Sequence, residues 1–297
     1  GITEIAGSTF RGCSSLTNVV IPNSVITIGS YAFYDCSSLK TINIPTSVVT
    51  IENYAFSGCI CLRNIFILDS ITTIKNNAFS NCGSLIIYCE AESKLKGWQS
   101  NWNAGNRPVY YGVSSENAIE INGIIYIIQN NEAIAVQYIG DATSVVITNN
   151  IEINGISYNV TTIGAYAFKN CTSLISVSIP NSVTAIGNGA FQNCTSLTSV
   201  VLPNGITEIA GSTFRGCSSL TNIVIPNSVK IIGTYAFSYC TSLTSIIIPS
   251  SVTAARSNAF RGCTSLTIYC EATSMPKGWT DSWNSSNCAV VWNYKNN

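Results

Sequence analysis

The sequence predicts a β-rich α/β solenoid, built of 23-residue repeats in two arrays with terminal caps. Three observations predict it. Phe10, Phe33, Phe56 and Phe79 recur at a step of 23, and Phe168, Phe191, Phe214, Phe237 and Phe260 resume that step after a gap. The cysteines Cys13, Cys36, Cys59 and Cys82, then Cys171, Cys194, Cys217, Cys240 and Cys263, keep phase with them, and so do the leucines. Finally, residues 85–112 and 266–293 are two copies of one cassette, LIIYCEAESKLKGWQSNWNAGNRPVYYG and LTIYCEATSMPKGWTDSWNSSNCAVVWN. A fixed period in the range of about 20–50 residues marks units that cannot bury an apolar face alone and must stack.

The first array is assigned to residues 1–88. Its opening eighteen letters, GITEIAGSTFRGCSSLTN, return unchanged at 205–222. There they follow VVLPN, the strand and proline that complete the coil; at residue 1 that half is missing, so this array is expected to begin mid-coil. The end cap is assigned to 89–112. Its Trp98 and Trp102 stand four apart, a spacing that would place both rings on one face of a short helix. Residues 113–160 are read as the start cap of the second array. Ile124 to Ile128 and Ala133 to Ile139 form a hairpin across Gln129-Asn130-Asn131-Glu132. Thr143 to Thr148 resembles a repeat strand, and an insertion follows near Glu152 to Tyr158. The second array covers 161–266, and its end cap 267–297 repeats the tryptophan pair as Trp279 and Trp283. A bridge between Cys270 and Cys288 is one option in this cap; the first cap carries Arg107 where the second has Cys288. The cassettes lie 181 apart (98 to 279) and the repeated stretches 204 apart (1 to 205), a difference of one 23-residue coil. A whole array was duplicated, and one unit was then gained or lost.

One coil reads, from residue 171, CTSLISVSIPNSVTAIGNGAF. Val177 and Ile179 are two apart, so they share the inward face of a strand that Leu174 leads into. Pro180 cannot donate to a ladder and ends the strand. Val183 and Ile186 begin the return path, Gly187 turns it, and Ala190 and Phe191 plug the back. This unit, C-x-S-L-x-x-I-x-I-P-x-S-V-x-x-I-G-x-x-A-F, resembles the BspA-like, Treponema pallidum-type leucine-rich repeat of bacterial and some protozoan surface proteins. Nine units match, four before the gap and five after. Leu68 and Asp69 depart from the Pro-Asn pair, and Ala254, Ala255 and Arg256 from the Thr-x-Ile-Gly stretch. The resemblance implies an extracellular location, cell-surface or secreted, and a role in adhesion to a protein or glycan ligand.

The composition narrows the chemistry. Apolar residues make up 46% of the 297 and charged residues only 9%, with a formal net charge of zero. No basic patch exists to neutralise phosphates, so nucleic acid is not an expected partner. No apolar run reaches the length of a membrane span. The absence of histidine removes the usual general base and the imidazole zinc sites. The ladder cysteines read as free, buried thiols, and Cys59-x-Cys61 is the nearest approach to a zinc pair. No catalytic, cofactor-binding or metal-binding residues are assigned, and no enzyme activity is expected. Asn159-Val160-Thr161, Asn170-Cys171-Thr172, Asn193-Cys194-Thr195 and Asn284-Ser285-Ser286 match the glycan acceptor pattern. The middle two sit on the repeat motif itself, which accounts for them structurally.

The remaining surface is the outward residue of each strand: Val20, Asn43 and Phe66 in the first array, Ser178, Val201, Val224 and Ile247 in the second. Val201, Val224 and Ile247 are expected to form an exposed apolar stripe, either a binding surface or the β propensity of Val and Ile alone. Phe66, Val201, Val224 and Ile247 are thus the candidate ligand-binding strand face. The alternatives to adhesion are a spacer or stalk that associates with its own copies, and a targeting module of a larger secreted protein.

Overall fold

The structure is a computed structural model that describes residues 1–295; Asn296 and Asn297, at the end of the segment assigned as the last cap, lie outside the described residues. The chain divides into two compact units, Gly1–Ala118 and Ile119–Asn297. Each is a β-solenoid with one continuous apolar core.

In the first unit the return paths form a parallel ladder, Glu4–Ile5, Thr27–Ile28, Thr50–Ile51 and Thr73–Ile74, in which residue i pairs with i+23. The strand side carries a Val20–Asn43 bridge, then Asn64–Ile67, Ile86–Cys89 and Val109–Tyr111 in parallel register. In the second unit Ser144–Val146, Ser176–Ser178, Ser199–Val201 and Asn222–Val224 pair in sequence, and Ser245–Ile248, Thr267–Cys270 and Ala289–Val291 form a further three-stranded sheet. The expected hairpin is present as Ile124–Gln129 and Glu132–Tyr138, with Asn130 and Asn131 left-handed in a two-residue turn. Its second strand pairs in parallel with Ile156–Ile163, which pairs onward with Ala185–Ile186. The hairpin is therefore built into the return ladder.

Among the described residues there is no helix, which corrects the α/β expectation: the architecture is β and turn throughout. The physical reason is visible at Trp98. This residue bridges Ile74, and the N–H of Gln99 donates to the Ile74 carbonyl at 2.8 Å. The backbone around the tryptophan pair thus extends the ladder and is not free to bond to itself four residues on. Tight turns bring Trp98 and Trp102 together instead, with ring centroids 4.9 Å apart.

The core consists of columns. Phe10, Phe33, Phe56 and Phe79 stack at 5.1–5.7 Å with interplanar angles of at most 10°. Phe168 through Phe260 stack at 5.1–5.6 Å with interplanar angles of at most 18°. Stacked rings at this spacing add to the area they bury. Tyr138 extends the second column, 5.5 Å from Phe168, with its N–H on the Ala167 carbonyl at 2.7 Å. Each column ends on a tryptophan edge, Trp102 on Phe79 at 86° and Trp283 on Phe260 at 86°. The indole N–H of Trp98 donates to Ile71 (3.0 Å) and that of Trp279 to Val252 (3.2 Å).

Two left-handed residues flank the Ala-Phe plug in most coils, for example Tyr31 and Asp35, Tyr54 and Gly58, or Tyr235 and Tyr239. Bulky residues rarely adopt this conformation. Here the turn is held by inter-coil bonds on either side of it: Tyr31 N–H to Asn53, Phe33 N–H to Ala55 and Asp35 N–H to Ser57, all between 2.8 and 3.0 Å. The tyrosines also gain neighbours. Tyr31 stacks on Tyr54 at 5.0 Å, and Arg11, Lys169 and Arg215 lie over Tyr31, Tyr166 and Tyr235. At Gly216 the space is taken: a Cβ there would run into the Asn193 side chain.

Candidate interaction surface on the strand face

Strand alternation decides what this face presents. In Ser199–Val201 and Asn222–Val224 the central Val200 and Ile223 are buried, and the flanking side chains project outward. Val201 and Val224 pair directly across the ladder and are 80% and 69% exposed. Val146 heads the same column at 62%, followed by Ser178. The expected stripe is shorter than the sequence reading had it. Ile247 is half-buried, because its strand partner is the large ring of Tyr269 rather than another small side chain.

Shallow grooves run beside this column. One of about 410 Å³ is lined by Val224, Ile247, Pro226, Asn227, Ser245 and Glu271. The next, about 440 Å³, shares Val224, Asn204 and Asn222 with it and adds Val201. A third of about 770 Å³ runs from Val146 to Val201. Apolar ridges thus alternate with amide and hydroxyl groups. Glu271 is the one ionised side chain lining these grooves, and its carboxylate already accepts the Ser250 N–H at 2.9 Å.

Phe66 belongs to the first unit, so the four candidate residues do not form one set. It is half-buried against Tyr88 (4.9 Å), which stacks in turn on Tyr110 (6.0 Å). The outward column of that unit thus starts at exposed Val20 and Asn43 and passes into an aromatic stack. Tyr88 is fully buried and its hydroxyl has no hydrogen-bond partner among the described residues; burial pushes this phenol well above its ordinary range.

The cysteines are free thiols. Along each array the Sγ donates to a phenylalanine carbonyl one coil back: Cys59 to Phe33, Cys217 to Phe191, Cys263 to Phe237, at 3.0–3.2 Å. Cys288 continues this column, donating to the Cys263 carbonyl at 3.2 Å, and so is not bridged to Cys270. Burial pushes the Cys82, Cys217 and Cys263 thiols up to about 12. A thiol held protonated is a poor nucleophile and a poor metal ligand. No group of three metal-ligating side chains occurs among the described residues, and no helix there is long and apolar enough to cross a membrane.

Some of this escaped the sequence reading although its signal was present. Trp102 and Trp283 follow Phe79 and Phe260 by 23, so both keep the phenylalanine step. Tyr138 precedes Phe168 by 30, and the inserted hairpin strands around Asn154 and Gly155 hid its place in the column.

Stacked coils with inward Leu and Ile, an outward strand face and a 23-residue register define a leucine-rich repeat protein. The chain belongs to the BspA-type family: the family model described as "BspA type Leucine rich repeat region (6 copies)" matches residues 1–105 and 144–267. No enzymatic family is indicated. Among solved structures it is similar to a leucine-rich cell surface protein of Faecalibacterium prausnitzii, at 27% identity over 97% of this chain and 86% of that one (TM-score 0.56). The pneumococcal vaccine antigen PcpA shares the fold at 18% identity, over 98% of this chain and 84% of that one (TM-score 0.58). The T. pallidum leucine-rich repeat protein is 35% identical over 51% of this chain and 71% of that one (TM-score 0.47). Among curated proteins none matches.

Proposed function

We propose that this is a non-enzymatic, cell-surface or secreted protein that adheres to an extracellular protein or glycan through the strand face of its second unit. One observation carries the reading. Val201 and Val224 stand exposed side by side, flanked by grooves rich in amides and hydroxyls and nearly free of charge. Adjacent exposed apolar side chains with a polar surround are the composition of a docking surface. The likeness to a protein described as a leucine-rich cell surface protein supports the location.

Val201→Lys and Val224→Lys test the reading. Both side chains project into solvent, so the fold should tolerate them. Binding to a panel of matrix proteins and glycans, followed by surface plasmon resonance, should weaken at least tenfold in the double variant while the melting temperature stays unchanged. Saturable binding that the double variant retains in full would move the site off this face. Self-association in sedimentation, lost with the same variant, would favour a stalk instead.

A further inference from the structure

Four stretches match the glycan acceptor pattern, and the fold treats them unequally. Asn193 lies in a left-handed turn and donates its amide N–H to Asn170 Oδ1 at 3.0 Å, tying two coils together. Asn170 is left-handed as well, and the next residue of each acceptor, Cys171 or Cys194, is buried in the thiol column. Asn284 is clamped at both ends of its amide: Nδ2 donates to the Cys288 carbonyl at 2.9 Å, and Oδ1 accepts the Cys288 N–H at 2.9 Å. A sugar on the Asn193 or Asn284 nitrogen would break a bond that the coil uses, and one on Asn170 would crowd the amide that holds Asn193.

Asn159 differs in its backbone and in its amide. It lies in the extended strand Ile156–Ile163 with its side chain exposed, and that side chain makes no hydrogen bond among the described residues. The alternation of the strand points Val160 into the core and Asn159 out of it. Its cross-strand partner is Asn150, in the edge strand Asn150–Ile153 of the six-stranded sheet. An unpaired edge is a template for pairing with another chain, and a bulky, solvated group beside it would block that pairing.

We propose that Asn159 is an N-glycan acceptor, and that of the four matching asparagines it is the one whose modified form is compatible with the folded solenoid. The proposal rests on the extracellular reading above, since the modification belongs to secreted chains. The donor is an oligosaccharide carried on a lipid pyrophosphate, transferred by an oligosaccharyltransferase. A C–N bond forms between Asn159 Nδ2 and the anomeric carbon as the C–O bond to the pyrophosphate breaks. The amide nitrogen gives up one proton, and the lipid pyrophosphate leaves with the electron pair. Transfer precedes folding of this segment, because in the folded unit the Thr161 hydroxyl is engaged by Glu132 at 2.7 Å.

The full chain, fused to a secretion signal, is expressed in eukaryotic cells, and site occupancy is read by peptide mass spectrometry with and without peptide-N-glycosidase. Secreted and total cell protein are both measured, so retention of misfolded chains does not hide a site. The expected result is a glycan at Asn159 in the secreted protein, lost in Asn159→Gln, retained in Thr161→Ser, with the melting temperature of Asn159→Gln unchanged. Secreted, folded protein that lacks a glycan at Asn159, or carries one at Asn170, Asn193 or Asn284, overturns the proposal. Because the secretion signal is supplied, this outcome is independent of where the native protein resides, and the ligand-binding assay above is scored separately.

Discussion

At the scale of single residues, the thiols carry the sharpest expectations. Cys13 and Cys61 are exposed, whereas Cys36, Cys59, Cys82 and the cysteines from Cys171 to Cys270 are buried. A thiol reagent added to the native protein at pH 8 should therefore label Cys13 and Cys61 quickly, half-buried Cys288 more slowly, and the rest only on unfolding. Fast labelling of Cys217 would contradict the packed column. The same burial makes stability depend on pH. The Cys217 thiol is raised from 9.0 to about 12 in the folded state by desolvation. Its contribution is complete below about pH 9 and is lost as pH rises through 9 toward 12, because the unfolded thiol ionises first. In urea titrations across that window stability should fall by up to about 1.4 kcal/mol per pH unit for such a thiol. Cys217→Ala should reduce the slope by that amount. An unchanged slope would mean that Cys217 ionises as readily in the fold as outside it.

At the scale of the coil, the phenylalanine column decides how strongly neighbours depend on one another. Phe214 is fully buried between Phe191 and Phe237, so Phe214→Ala should cost about 3–5 kcal/mol in urea unfolding. Phe10 is only half-buried, and the same change there should cost clearly less. Equal losses at both positions would show that stacking is not what the column supplies. Coil architecture was largely legible in the sequence because each inward side chain repeats at one step. Val177, read as inward, and Ala190 and Phe191, read as the plug, are all buried, while Ile179, read as inward with Val177, is half-buried against the core. The tryptophan segments were not, because a spacing of four fits a helix and a tight turn equally, and only the ladder bonds at Trp98 distinguish them. Exposure of the strand face was legible at Val201 and Val224 but not at Ile247, since the cross-strand partner Tyr269 sits in a cassette outside the repeat pattern. The preference for Asn159 among four acceptors needed the hydrogen bonds of Asn193 and Asn284, which a motif does not carry.

At the scale of the whole molecule, the chain is two units that each bury their own core. In a solenoid, stability is close to a sum over coils and their nearest-neighbour interfaces. Residues 119–297 produced alone should therefore fold, with a far-ultraviolet dichroism spectrum of β type and a cooperative urea transition. A fragment that stays unfolded would show that the core of the second unit is insufficient by itself. The placement of the tryptophans adds an optical consequence. All five, Trp98, Trp102, Trp279, Trp283 and Trp292, lie in the two terminal cassettes, and none lies in a repeat coil. Tryptophan emission is thus blind to the middle of either array and watches only its last turn. Dichroism weights every coil alike. An emission shift that precedes the loss of dichroism during denaturation would time the peeling of the end turns against the melting of the stack, with no label added to the chain.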